Sequence, residues 1–175
     1  MADSTKMTDG SERLSHYDAE GTARMVDVSA KVATRREAEA EAFVVLSPAV
    51  LAALPSNPKG NPLEVARFAG IQAGKRTSEL IPMCHPLPLS FLDVEARITD
   101  AGVLIRATAA TTANTGVEME ALTAAGVAAL TVYDMCKALD KGITIQNLQL
   151  VRKTGGKSGD YQRATGTVAR AEPSQ

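Results

Sequence analysis

Residues 117–139 (VEMEALTAAGVAALTVYDMCKAL) constrain the fold of this chain more than any other segment. Placed at about 100° per residue, the segment is apolar or alanine over most of its circumference. A helix resting on one sheet with its back in water does not need such a surface, so a second body is expected over that back. In a chain of 175 residues the economical candidate is another copy of itself, because symmetric self-association is the common case. One stripe of roughly 120° interrupts the apolar surface and carries Glu120, Thr123, Thr131, Asp134, Lys137 and Lys141. Polar side chains there must face water or a site. Thr115 and Glu118 form a T-x-x-E pattern, predicting a capping box at the start of the helix. Gly142 is the expected stop, with Lys141 in the last turn.

The remaining elements follow from periodicity and turn chemistry. Residues 39–46 (EAEAFVVL) read as a strand, and the loop after it contains Pro55, Asn57, Pro58, Lys59 and Gly60. Asn61 is placed to cap a helix with Pro62 in its first turn and Glu64 three residues after the cap, running to about Ala73. A short helical stretch over 75–80 stops before Pro82. Residues 92–99 alternate apolar and polar, turn at 100–102, and return through Val103, Ile105, Ala107 and Ala109. After the long helix a strand is expected over 143–151, with a phase slip at Gln146 and Asn147 that predicts a bulge. Strand, helix, hairpin, helix, strand is the split β-α-β order. The predicted class is therefore α+β, ferredoxin-like, with an antiparallel sheet and one long helix at an oligomer interface. Residues 24–160 are expected to form one catalytic domain, between a mobile N-terminal segment (1–23) and a mobile C-terminal tail (161–175).

Composition narrows the function classes. A net charge of −1 excludes a broad basic face for nucleic acid, and three Phe, three Tyr and no Trp leave few aromatic platforms for single strands. Without an 18-residue apolar run or a hydrophobic leader, the chain is expected in the cytoplasm, with no membrane partner. Cys84 and Cys136 form no C-x-x-C pair, so no metal site is read, and Cys136 reads as a small core residue.

Three places can carry chemistry. Asp134 and Lys137 are adjacent on the helix stripe and form either a surface ion pair or part of a site. The loop IPMCHPLP (81–88) displays Cys84 and His85 between three prolines that fix its backbone, although an isolated loop histidine is more often merely solvated. The segment KTGGKSG (153–159) superficially suggests a phosphate loop, but Val151 stands where the Walker pattern requires glycine and no helix follows. What remains is a Gly-rich stretch whose amides and two lysines suit phosphate oxygens, or else a solvated basic segment.

The stretches MVDVSAK (25–31), ARFAGIQAGKRTSELIPMCHPLPL (66–89), TGVEMEALTAAGVAALTVYDMCKALDK (115–141) and KTGGKSGD (153–160) together resemble the cyclic pyranopterin monophosphate synthase family of molybdenum cofactor biosynthesis, also called molybdenum cofactor biosynthesis protein C. The resemblance implies ferredoxin-like subunits assembled as a homohexamer, a trimer of dimers. It implies a phosphorus–oxygen lyase that converts 3′,8-cyclo-7,8-dihydro-GTP, supplied by a radical S-adenosylmethionine cyclase, to cyclic pyranopterin monophosphate and diphosphate. Asp134, Lys137 and Lys59 are then the expected catalytic residues, Met83, Cys84, His85, Met119 and Glu120 the substrate contacts, and Lys75, Lys153 and Lys157 the triphosphate ligands. No cofactor is implied, and a requirement for Mg2+ is left open. Asn61, Asn114 and Thr154 depart from the usual family residues without removing a catalytic group. A different reading of the same lysines is a noncatalytic module that binds a nucleoside triphosphate, which turnover would discriminate. The site is further expected to be shared between chains, because Glu120 and Asp134 are 14 residues apart, ~21 Å along a helix axis.

Overall fold

A computed structural model describes residues 21–164. The expected mobile segments therefore lie mostly outside the described residues. Five strands, β1 (Thr34–Val45), β2 (Leu89–Thr99), β3 (Gly102–Ala113), β4 (Thr144–Thr154) and β5 (Tyr161–Gln162), form one sheet in the order β2-β3-β1-β4-β5. All pairings are antiparallel, and the first four strands take the expected ferredoxin-like arrangement. β5 was not anticipated; it lies at the start of the segment expected as a tail and pairs with Arg152 and Lys153.

Among the described residues the α-helices are α1 (Pro48–Ala53), α2 (Pro62–Gly74), α3 (Thr77–Leu80) and α4 (Glu118–Cys136), with a 3-10 turn at Leu54–Ser56 after α1. In β1, Ala38, Ala40, Ala42 and Val44 are buried, while Glu37, Glu39 and Glu41 lie on the opposite face. There Arg152 bonds Glu37 and Glu39 at 2.7 and 2.9 Å, and Arg106 meets Glu39 at 3.0 Å, forming a polar ladder across strands. The expected bulge is present. β4 has three steps from Gln149 to Gln146 where β1 has two from Glu41 to Phe43, and Asn147 takes φ 53°.

Along α4, Ala121, Ala124, Ala125, Ala128, Ala129 and Val132 are all fully buried, and the helix packs on β1, β3 and β4 of the sheet. Its second cover is α2 of the same chain, which corrects the inference that so much apolar surface must await another copy. Small residues permit this approach: a Cβ on Gly70 would lie 2.7 Å from the Ala124 carbonyl oxygen, and one on Gly74 would lie 3.1 Å from that of Glu120. Leu130 (59% exposed), Phe68 and Leu139 stay uncovered. Among the described residues no helix is long and apolar enough to cross a membrane.

Both predicted ends of α4 need correction. Thr115 and Glu118 form no capping box: Val117 is the N-cap, without a side-chain hydrogen bond, and Glu118 pairs with Lys153 instead. The helix ends at Cys136 with Lys137 as C-cap, not at Gly142. Asp140 Oδ1 accepts from the Gly142 amide at 2.7 Å, so the chain leaves the helix for a side-chain-stabilised turn.

Candidate active site

The last turn of α4 presents Asp134 and Lys137, 58% and 50% exposed, with Lys137 Nζ 2.7 Å from Asp134 Oδ1. The loop before α2 delivers a second cation. Asn57 Nδ2 donates to the Met135 carbonyl at 3.0 Å, and Asn57 Oδ1 accepts from the Lys59 amide at 2.9 Å. Gly60 closes the turn at φ 95°, and Asn61 Oδ1 accepts from the Leu63 and Glu64 amides as the predicted cap. Held this way, Lys59 donates to the Asp134 carbonyl at 3.2 Å and lies 3.9 Å from its carboxylate. The hydrogen bond from Lys137, its charge and then that of Lys59 hold the Asp134 carboxyl below the usual range, and Asp134 in turn raises Lys137. The pair rests as carboxylate and ammonium. Lys137 is therefore equipped to donate a proton or stabilise negative charge, and Asp134 to orient it or accept one.

At the opposite end of α4, a hollow of about 370 Å3 is lined by Met83, Cys84, His85, Met119 and Glu120, together with Val26, Val28 and Lys31. The segment before β1 is tied across it: His85 Nε2 lies 2.9 Å from the Val26 carbonyl and Asn114 Nδ2 donates to the Val28 carbonyl at 3.3 Å. A carbonyl only accepts, so Nε2 carries the proton. In the neutral ring Nδ1 is then an acceptor. Glu120 is only 4% exposed, and burial pushes its carboxyl above the usual range. Burial also raises the Cys84 thiol, with the Glu120 charge adding to the shift, so the thiol is a hydrogen-bonding group at neutral pH.

A second hollow, about 480 Å3, shares Lys31, Thr115, Gly116 and Glu118 with the first and adds Arg36, Asn114, Lys153, Lys157 and Ser158. Between Lys153 and Lys157, Gly155 and Gly156 turn the chain with φ near 84° and 83°, and the Gly155 amide donates to Asp160 Oδ1 at 3.0 Å. A Cβ on Gly156 would fall 2.1 Å from Arg36 Nη1, so only glycine lets this turn lie against the guanidinium. Arg36 Nε donates to the Ala113 carbonyl at 3.0 Å, which fixes the side chain across β1 and β3. Four cations on one concave surface suit an oligophosphate.

The structure thus gathers the expected residues into two groups, not one. Lys59, Asp134 and Lys137 stand at the C-terminal end of α4. Met83, Cys84, His85, Met119, Glu120, Lys153 and Lys157 stand around its N-terminal end. Lys75 joins neither group: it is the exposed C-cap of α2 and lines neither hollow. Glu118, Arg36 and Lys31 are members that sequence reasoning missed. For Arg36 a signal existed, because the period of two places it on the same face of β1 as Ala38, Ala40 and Ala42. Cys136 is fully buried, as expected of a core residue.

A cyclic pyranopterin monophosphate synthase of Deinococcus radiodurans is 55% identical over 154 residues, covering 87% of this chain and 91% of its own length. Proteins of the same name from Chloroflexus aggregans and Parvibaculum lavamentivorans are 54% and 52% identical, covering 98% and 97% of their lengths and 90% and 86% of this chain. The family model described as the MoaC family matches residues 25–156, a span that contains both hollows' lysines up to Lys153 and the whole Asp134 cluster. The chain belongs to the MoaC family.

Proposed function

We propose that this chain is a lyase converting (8S)-3′,8-cyclo-7,8-dihydroguanosine 5′-triphosphate to cyclic pyranopterin monophosphate with release of diphosphate, in molybdenum cofactor biosynthesis. The observation that carries the reading is the pair of adjoining hollows. One combines apolar walls (Val26, Val28, Met83, Met119) with the hydrogen-bonding groups of Cys84, His85 and Glu120, which suits a heterocycle, and the other is lined by Lys31, Arg36, Lys153 and Lys157, suited to the triphosphate attached to it. Lys153 and Lys157 are the phosphate ligands in this reading; Met83, Cys84, His85, Met119 and Glu120 contact the ring system.

Ring opening and pyran closure require protons to move, and the Asp134, Lys137 and Lys59 cluster is the group equipped for that. It stands ~21 Å along α4 from Glu120, too far for one compact site within a chain. A two-fold neighbour running antiparallel brings its own Asp134 end beside this chain's Glu120 end, so each pair of chains carries two composite sites. The working assembly is a homohexamer built from such pairs, located in the cytoplasm and supplied by a radical S-adenosylmethionine cyclase acting on GTP. Exposed Leu130 and Leu139, near the Asp134 cluster on α4 and just after it, support self-association.

The test is incubation with the cyclised GTP derivative, followed by mass analysis of the product and a count of diphosphate released. Wild-type chain yields both products. Asp134→Ala and Lys137→Ala lose 100-fold or more in rate, on the order of a general acid–base contribution, while melting temperature and assembly stay near wild type because both side chains are half exposed. Saturable binding without diphosphate release would make the chain a binding module instead.

A further inference from the structure

Among the described residues that line the phosphate hollow, Glu118 is the one acidic side chain, and the role proposed above gives it nothing to do. It opens α4 and also lines the smaller hollow. Its Oε1 lies 3.0 Å from Lys153 Nζ, and both side chains are about three-quarters buried, at 28% and 21% exposure. The same Nζ donates to Ser158 Oγ at 2.8 Å. Gly116 makes room for this: a Cβ there would fall 1.9 Å from Glu118 Oε2, so the carboxylate folds back over the backbone that enters the helix. A negative charge at a helix start is itself favoured. The carboxylate thus occupies, by charge and position, the place a phosphate oxygen would take on Lys153.

We propose that Glu118 is a built-in competitor for the phosphate ligand. It neutralises Lys153 in the empty hollow, yields it to an incoming oligophosphate and reclaims it as diphosphate departs. The proposal rests on the reading of this hollow as a phosphate site. Its physical content is that the Glu118 charge weakens anion binding: the ligand must break the Lys153 pair and then endure a carboxylate beside it. What is lost in affinity is regained in release, which favours turnover once product has formed.

Inorganic diphosphate titrated into the full chain by calorimetry tests this. Glu118→Gln keeps the shape and removes the charge, and its Kd for diphosphate should fall about tenfold, ~1.4 kcal/mol. Glu118→Asp should return Kd towards wild type, and Lys153→Ala in the Glu118→Gln background should abolish the gain. A damaged fold does not tighten binding, so the gain cannot come from misfolding. An unchanged or higher Kd in a folded Glu118→Gln chain overturns the proposal while leaving the phosphate site intact. Absence of diphosphate binding to both wild type and variant overturns the phosphate reading and the proposal with it.

Discussion

Mixing two inactive variants distinguishes a shared site from a self-contained one. Glu120→Ala empties the N-terminal end of α4 and Asp134→Ala the C-terminal end, and each is expected to be inactive alone. Suppose both are unfolded, combined at equal ratio and refolded, so that chains pair at random. About half of the two-fold pairs are then mixed. In a mixed pair one site inherits both defects and the other inherits neither. About half of the sites in about half of the pairs are whole, so activity should return to about a quarter of wild type per site. The separation behind this is geometric: 14 residues of uninterrupted helix hold the two positions ~21 Å apart. The assay is product formation from the cyclised GTP derivative, with two affinity tags verifying that mixed oligomers formed. Background activity in verified mixtures would refute the reasoning, because sites complete within one chain leave every chain carrying a broken one.

Stability offers two further checks. Gly126→Ala should stabilise the chain by about 0.5–1 kcal/mol through helix propensity, since its Cβ would meet only the ends of Leu148 at 3.3 and 3.8 Å. Gly70→Ala should destabilise it by up to about 2 kcal/mol net, because overpacking against the Ala124 carbonyl and Ala128 outweighs the same gain; equal urea midpoints for the two variants would contradict the packing described. Glu120→Gln should melt above wild type by a margin that grows as pH is raised from about 4 to 8. The carboxyl is held up by burial, so its cost is absent below the unfolded pKa of about 4.3 and complete above the folded value; a margin independent of pH would count against that burial.

Much of the fold was legible because its signals are local. The alternation in β2 and β3, the Asn61 cap and the bulge at Asn147 each depend on a few neighbouring residues and stand as expected. The errors arose where a distant partner decides. Glu118 had the spacing of a capping residue, but Lys153, 35 positions on, claims its carboxylate. The end of α4 was misplaced because Gly142 is a conspicuous stop, whereas the helix ends at Cys136 and Gly142 belongs to a separate turn held by the Asp140 side chain. The helix face assigned to another copy is covered by α2, which no periodicity within α4 can reveal. In the candidate site, the Asp134, Lys137 and Lys59 group rested on one local pair and one resemblance. Arg36 was signalled by its period-two position on β1 but its place in the hollow depends on β1–β3 pairing, and Lys31 escaped because it reaches the hollow only through the ties at Val26 and Val28.

The unbroken course of α4 gives this chain an unusual sensitivity to length. One residue inserted between Glu120 and Asp134 turns everything after it by about 100° and advances it by about 1.5 Å, carrying Asp134 away from Lys59 and from any neighbour that uses it. In the proposed pairing each helix serves two sites, one at either end. A chain miswound in this way would therefore break the site at a healthy partner's Glu120 end, while the site at its own Glu120 end, completed by the Asp134 of the healthy chain, stays whole, so a mixed pair should keep about half of its activity. Sequence drift along this rod can change its composition at exposed positions far more freely than its residue count.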